Sequence, residues 1–201
     1  AAVAAGQAGA GALAAAIHPA GPAWDGIDVI PAQRELASRE ADNSPGREFH
    51  LRTAMDGAIE DYDVVLIDCP PSLGLVTLNV MVAANEVVIP IQAEYYALEG
   101  LSQLWRTVER IGADLNPGLR VSGMLLTMAD KRTRLSEEVE SEVRSHFPEH
   151  TFETVIPRSV RISEAPSYGQ TVITYDGKNV GAIAYRKAAL ELSQRIPSDA
   201  R

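Results

Sequence analysis

The chain has 201 residues, of which 46% are apolar and 22% charged, and its formal net charge at pH 7 is −9. A chain of this length buries roughly 70% of its unfolded surface and needs no disulfide, and a single Cys69 excludes a disulfide-rich scaffold. With no apolar run of about 18 residues, the sequence predicts a cytoplasmic protein without a membrane span. The negative charge argues against a globally basic nucleic-acid binder, although local basic clusters can still contact phosphate.

The predicted organisation is a lead-in at residues 1–23, one domain at 24–197 and a short tail at 198–201. Alanine favours helix in the lead-in and glycine opposes it, so we expect a frayed helix or disorder there, without the charged start of a secretory signal. The spacing of apolar residues and the positions of proline and glycine predict the first ordered elements. They are a short strand at 26–31, a helical turn or two at 33–40, and an amphipathic helix from 47 to near 61.

Apolar runs then alternate with helical patterns through the rest of the chain. The predicted strands are 63–69, 86–91, 120–128 and 153–157, and the predicted helices are 75–84, 97–112, 135–147 and 181–196. Strands that alternate with helices of this length favour right-handed crossovers and parallel pairing. The predicted fold class is therefore α/β, a doubly wound, mainly parallel sheet with helices on both faces.

In such a sheet, ligands bind at the carboxyl ends of the strands, and Asp68 stands at the end of the first long run. Nucleotide-hydrolysing folds hold magnesium with a carboxylate at this position. The alternative is an aspartate that caps the next turn. Pro70 and Pro71, followed by Ser72, stiffen the loop, which suits a segment that senses a γ-phosphate but is also an ordinary strand terminator.

Basic side chains follow the last two predicted strands. They are Lys131, Arg132 and Arg134 in one loop, and Arg158 and Arg161 in the other. The predicted topology places both loops at the same edge of the sheet, where they form a candidate phosphate-binding patch. The alternative is that both are ordinary solvated loops.

Three long segments carry a family resemblance. They are DYDVVLIDCPPSLGLVTLNVMVAANEVVIPIQAEYYALEGLSQL, GMLLTMADKRTRLSEEV and FETVIPRSVRISEAPSYGQTVITYD. From about Gly26 to Ile196 the chain resembles the ParA/Soj family of chromosome- and plasmid-partition ATPases. The resemblance favours this branch over the MinD cell-division relatives, because the ending LELSQRIPSDAR lacks an amphipathic membrane-targeting helix.

The resemblance implies a P-loop ATPase with a deviant Walker A motif that binds ATP and Mg²⁺ and dimerises around two ATP molecules. It also implies a nucleoid-associated protein of the cytoplasm that binds DNA without sequence preference, contacts no membrane, and is stimulated by a ParB-type centromere-binding partner.

The resemblance also assigns roles to residues. Asp68 matches the Walker B aspartate, which holds magnesium through water, and residues 70–73 match switch II. Pro157 and Ser159, together with Met128, match the nucleotide-contacting positions, with Ser159 where the family has asparagine. Arg132 and Arg161 match DNA-contacting basic positions, and Lys131 and Arg158 are candidates beside them.

The chain departs from the family at the phosphate site. Family members open with a KGGVGKTT-type P-loop and then a DPQGN-type switch I, and the 201 residues contain neither. Lys178 follows a glycine, but Val172 and Asn179 break the P-loop pattern. The fold is thus expected to be N-terminally incomplete, and the chain alone is expected to lack ATP hydrolysis. Two alternatives stay open: a degenerate, non-catalytic docking paralogue, or a MinD-like ATPase with another cargo.

Overall fold

The computed structural model describes residues 9–22, 24–94 and 97–196, and the chain divides into two compact units. The first unit takes in the chain up to Asn85 together with Ile111–Leu119. The second takes in Glu86–Arg110 and the chain from Arg120 to Ala200. Residues 1–8 of the predicted lead-in and 198–201 of the predicted tail lie outside the described residues. None of the described helices is both long and apolar enough to cross a membrane.

The first unit combines a small antiparallel pair with helical segments. Its elements are β1 (His18–Pro19), β2 (Asp28–Val29), α1 (His50–Met55), α2 (Leu75–Ala83) and 3₁₀ turns at Ala14–Ala16, Arg34–Ala41 and Arg47–Phe49. Buried Leu13, Ala54 and Met55 form its core. The predicted strand at 26–31 is represented by β2, and the predicted turn at 33–40 is 3₁₀.

The predicted helix from 47 to near 61 is shorter than expected. The α-helix ends at Met55, and Gly57 adopts φ +74°, which glycine tolerates better than other residues. The Glu60 carboxylate accepts the amides of Gly57, at 2.7 Å, and Ile59, at 3.0 Å. These contacts form a capped turn in place of the last two helical turns.

The predicted strand at 63–69 is not formed. Residues 64–70 carry no regular secondary structure, and Val64 and Leu66 are 62% and 83% exposed. A continuous aliphatic run of this kind requires ladder partners and cover on both faces. No strand among the described residues pairs with this run, so most of its apolar side chains stay open to solvent.

The second unit contains a parallel strand pair and the longer helices. Its elements are β3 (Glu86–Gln92), α3 (Ala97–Asp114, which extends into the first unit's Ile111–Leu119), β4 (Arg120–Thr127), α4 (Arg134–His146), α5 (Val160–Glu164), a 3₁₀ turn at Ala165–Tyr168, α6 (Val172–Tyr175) and α7 (Val180–Arg195). The Ala93 amide donates to the Thr127 carbonyl at 3.0 Å. Because amides alternate between the two edges of a strand, Pro90 faces away from β4, and its missing N–H costs the β3–β4 ladder no hydrogen bond.

Helices cover both faces of this sheet. Met124 and Leu126 of β4 pack with α3 and α4, in a cluster that includes Leu101 and Val139. Leu125, between them, points the other way and packs with α7 and Phe152. The predicted α/β class, a parallel sheet with helices on both faces, is confirmed.

The predicted strand at 153–157 is replaced by an irregular segment beside β4. Parallel bridges join Met124 to Thr151 and Ala129 to Pro157. Between them, the Phe152 and Ile156 amides donate to the Met124 and Leu126 carbonyls of β4, at 2.9 and 2.8 Å, without forming a continuous ladder. The Glu191 carboxylate of α7 accepts the amides of Glu153, at 2.8 Å, and Thr154, at 3.0 Å. The Glu153 and Thr154 amides therefore bond to a side chain of α7 and not to β4, and the ladder is interrupted between Phe152 and Ile156.

Candidate functional site

Asp68 and the three residues from Pro70 to Ser72 lie in the first unit, and all four are exposed. Asp68 lies in the irregular segment 64–70, and its side chain is open to solvent. The neighbouring Cys69 thiol has a pKa raised by partial burial and, to a smaller extent, by the negative charge of Asp68. No group of three metal-ligating side chains occurs among residues 9–22, 24–94 and 97–196, so Asp68 is a single-carboxylate candidate for magnesium.

Long-range polar contacts fix the chain just after this loop. Both oxygens of the Glu40 carboxylate accept amides at the start of α2, from Leu75 at 2.6 Å and Val76 at 3.2 Å. The buried Thr77 hydroxyl donates to the Ser72 carbonyl at 2.6 Å. Sequence reasoning missed Glu40, and a local pattern has no means of finding it, because Glu40 lies 35 residues before its first partner.

Met128, Pro157 and Arg158 lie together at the carboxyl end of β4 in the second unit. The Ala129 amide donates to the Ile156 carbonyl at 3.1 Å, and the Arg158 amide donates back to the Ala129 carbonyl at 2.9 Å. Met128 directly precedes this pair and adopts φ +55°, the one non-glycine residue with positive φ among those described. Such a conformation is strained for a residue with a side chain and persists where its surroundings enforce it.

Ser159 follows this junction and is tied to the start of α7. Its hydroxyl donates to the Asn179 side-chain oxygen at 3.1 Å, and the same oxygen accepts the Gly181 amide at 2.9 Å. Asn179 is therefore both the N-cap of α7 and the partner of Ser159. Sequence reasoning missed Asn179 as a partner, although an asparagine directly before an apolar helix is a recognisable capping signal.

Three of the predicted basic side chains are paired with carboxylates. Arg132 binds the Asp130 carboxylate through two hydrogen bonds of 2.9 and 2.7 Å, and this guanidinium holds the Asp130 pKa well below its usual range. Arg158 contacts Glu94 at 2.9 Å. Lys131, which stands between Asp130 and Arg132 in the sequence, is exposed.

Arg161 is the third paired arginine. Its guanidinium lies 3.0 Å from Glu164 and 3.8 Å from Asp176, and 6.0 Å from the centre of the Tyr175 ring. The hydrogen bond to Glu164 raises the pKa of Arg161. Tyr175 in turn stacks on Tyr168, with ring centres 5.1 Å apart.

The basic loops predicted at one edge of the sheet are neighbours, because the Ala129–Pro157 bridge joins them. Most of their arginine charge is balanced by the carboxylates of the same surface. Each guanidinium nevertheless has more donors than its carboxylate uses, so N–H groups remain for a phosphate.

Comparison with known proteins agrees with this architecture. A family described as an AAA domain matches residues 13–121. The chain is 47% identical over 171 residues to the chromosome partitioning protein ParA of Myxococcus xanthus, which covers 84% of this chain and 60% of that protein. It is 48% identical over 171 residues to the sporulation initiation inhibitor protein Soj of Bacillus subtilis, with 84% and 68% covered.

A solved structure with a bound nucleotide is also similar. Cobyrinic acid a,c-diamide synthase from Mycobacterium smegmatis, with bound ATP analog and magnesium, aligns with a TM-score of 0.73 and 35% identity. The alignment covers 94% of this chain and 69% of that one.

The parallel strands, the helices on both faces and the polar strand ends define an α/β fold of the P-loop NTPase class. Within that class, the chain belongs to the ParA/Soj family. It spans 60% and 65% of the length of the ParA proteins from Myxococcus xanthus and Caulobacter vibrioides that it matches.

Proposed function

We propose that this chain is the greater part of a partition ATPase, which segregates chromosomal or plasmid DNA through ATP-dependent dimerisation and DNA binding without sequence preference. Its working location is the nucleoid, and the partner that stimulates it is a ParB-type centromere-binding protein. The relatives named for chromosome partitioning support this assignment, at 47% and 48% identity over most of the chain.

The structural observation that carries the proposal is the junction at the end of β4. At this junction, hydrogen bonds of Ala129 with Ile156 and Arg158 join the segment that carries Met128 to the segment that carries Pro157 and Ser159. Met128 itself has a positive φ of 55°. Met128, Pro157 and Ser159 are three nucleotide-contacting candidates from two separate parts of the sequence. Strained residues at the carboxyl end of a parallel strand are typical of ligand sites.

The residues present fit a magnesium nucleotide in part. Mg²⁺ is held by one or two carboxylates together with substrate phosphates and water, and the exposed Asp68 carboxylate would hold it through a bound water. Bound Mg²⁺ would neutralise developing charge between the β- and γ-phosphates. Within residues 1–201 the phosphates have no P-loop amides and no P-loop lysine to hold them.

The test is phosphate release by two proteins, the 201-residue chain and the same chain joined at Ala1 to a family-type P-loop and switch I segment. Loss of a single charge stabiliser commonly costs about 10²–10³-fold in rate, and the chain alone lacks several. We therefore expect no turnover above background from the chain alone, with or without DNA and a ParB-type partner. The extended protein should turn over ATP in a magnesium-dependent reaction.

In the extended protein, Asp68→Ala should abolish that turnover. Asp63→Ala is the matched control, because Asp63 is an exposed aspartate in the same segment, and it should leave turnover intact. Magnesium-dependent hydrolysis by the unextended chain that disappears in Asp68→Ala would show that the phosphate site lies elsewhere. An inactive extended protein would favour the degenerate docking paralogue.

A further inference from the structure

The start of α2 is held by a carboxylate from a distant part of the first unit. α2 is nine residues long, and its first two amides, those of Leu75 and Val76, each donate to a separate oxygen of Glu40. The first amides of a helix have no partner within the helix, and they lie at the positive end of its dipole. A carboxylate at this position satisfies both amides and is itself stabilised by the dipole.

Gly74 makes this approach sterically feasible. A Cβ atom built at position 74 would overlap the Glu40 carboxylate. The backbone of Gly74 is extended, with φ −80°, so the position does not require glycine for its conformation. The requirement for glycine here comes from the closeness of Glu40.

A second contact, from within α2, holds the loop that precedes this helix. Thr77 is 4% exposed, and its hydroxyl donates to the Ser72 carbonyl at 2.6 Å. Residues 72–77 are therefore held by Thr77 from inside α2 and by Glu40 from the 3₁₀ turn Arg34–Ala41. The Asn79 side chain adds a third contact, because it donates to the Leu75 carbonyl at 3.0 Å and to the Arg47 carbonyl at 2.9 Å. Immediately before this stretch stand Asp68 and the Pro70–Pro71 pair.

We propose that Glu40 is a positioning residue that fixes the conformation of residues 70–74, the loop that follows Asp68. Glu40 does so by holding the first turn of α2, to which the loop is joined through Gly74. When the carboxylate is removed, the Leu75 and Val76 amides lose their acceptors and the first turn loosens, while the contacts of Thr77 and Asn79 remain. The assignment of this loop as nucleotide-responsive rests on the proposed function, whereas its positioning by Glu40 rests on the contacts described above.

The first test is amide hydrogen exchange on the 201-residue chain, with Glu40→Gln compared with the wild type. Glutamine keeps one acceptor oxygen but loses the second acceptor and the negative charge. We expect exchange of the Leu75 and Val76 amides to become about tenfold faster, with faster exchange spreading to the amides of residues 72–74. The matched control is Glu35→Gln on the same 3₁₀ turn, which should leave this region unchanged.

Gly74→Ala gives an independent route to the same result. Its Cβ should displace the Glu40 carboxylate and accelerate exchange as Glu40→Gln does. Because both substitutions break the same contact, the double variant should exchange no faster than either single variant. Unchanged exchange at Leu75 and Val76 in Glu40→Gln overturns the contact, and an effect confined to those two amides overturns the positioning role.

The second test measures ATP turnover in the chain extended by a P-loop and switch I segment. Glu40→Gln should lower kcat severalfold at an unchanged KM, because the loop is mispositioned while nucleotide binding is retained. An unchanged kcat overturns the positioning role. If the extended protein without substitutions shows no turnover, the proposed function fails instead, and hydrogen exchange alone then decides the role of Glu40.

Discussion

Arg132 and Arg161 are the side chains on which the proposed DNA contact depends. Each is exposed and held by a carboxylate close to it in sequence: Asp130 holds Arg132 in the loop after β4, and Glu164 holds Arg161 on α5. Exposed ion pairs of this kind contribute little to stability, so replacing either arginine should leave the fold intact. Their substitution therefore tests binding without unfolding the protein.

Replacing Arg132 and Arg161 by Ala in the extended, nucleotide-competent protein should weaken binding to every duplex to a similar degree. The reason is that contacts to phosphate carry no sequence information. The slope of log K against log salt should fall by about 1 for each arginine lost. A mobility-shift titration at several salt concentrations measures the affinity and the slope.

The control is Arg106→Ala, which replaces an exposed arginine on α3. An unchanged slope in the double variant would exclude a phosphate-binding patch at Arg132 and Arg161.

Glu191 connects α7 to the irregular segment beside β4, and its charge state affects stability. Partial burial pushes the Glu191 pKa upward, but hydrogen bonds from Thr154, Glu153 and Arg195 outweigh that effect and lower the pKa below its ordinary value of 4.5. A carboxyl group whose pKa is lowered by folding contributes stability in full above pH 4.5. That contribution is lost as the pH falls through the lowered value.

Glu191→Gln should therefore destabilise the chain most at neutral pH. The expected loss in the free energy of unfolding is about 2 kcal/mol, which is typical of hydrogen bonds to a charged group. Urea unfolding at a series of pH values measures the gap between wild type and variant, and we expect that gap to narrow below pH 4.5. Glu138→Gln, which replaces an exposed glutamate on α4, is the control. A gap that stays constant from neutral to acid pH would contradict the role assigned to the charge.

At the scale of elements, residues 64–66 form an apolar segment without a strand partner among the described residues. Val64, Val65 and Leu66 are 62%, 43% and 83% exposed, and they carry no regular secondary structure. Unpaired segments with aliphatic side chains are templates for pairing with another chain. We expect the 201-residue chain to self-associate as its concentration rises.

Leu66→Lys should shift this association toward monomer, because it places a charge in the exposed run. Sedimentation velocity across a concentration series provides the measurement. Leu190→Lys is the comparison, since Leu190 is 61% exposed on α7, outside the unpaired segment. A monodisperse wild-type monomer at high concentration would disprove the expectation.

The elements that the sequence predicted well are those specified by local pattern. β3 and β4 lie within one residue of the predicted strands, because their aliphatic runs and breakers are local signals. The run at 63–69 carries an equally strong signal, yet a strand also needs a partner, and pairing is not encoded locally. The interruption at Glu153 has the same origin, because the carboxylate that takes its amide lies 38 residues away.

In the candidate site, too, local patterns were predictable and contacts between distant parts of the sequence were not. Asp68, Met128 and Ser159 were located from strand ends and family resemblance, and all lie where chains leave strands or apolar runs. Their polar partners were not found, because Glu40 and Asn179 act across 35 and 20 residues. Sequence pattern therefore identifies candidate residues near the ends of apolar runs, and the folded chain determines which side chains contact their segments.

At the scale of the whole molecule, each of the two units has a core of its own. The first is built on Leu13, Ala54 and Met55, and the second on a larger set around β3 and β4 that includes Met124 and Leu126. Cooperative unfolding reflects a shared core, and separate cores of unequal size favour separate transitions. The larger core should give its unit the higher melting temperature.

Differential scanning calorimetry of the chain at low concentration should therefore resolve two transitions. Met55→Ala removes a buried side chain of the smaller core and should lower only the first transition, and Leu126→Ala should lower only the second. Each substitution should cost about 2–5 kcal/mol, the usual range for truncating a buried aliphatic side chain to Ala. Both residues are less than a tenth exposed, so the two variants are matched in burial. A single transition that both variants lower equally would mean that the two units unfold as one, because the loss of either core would then destabilise the whole chain.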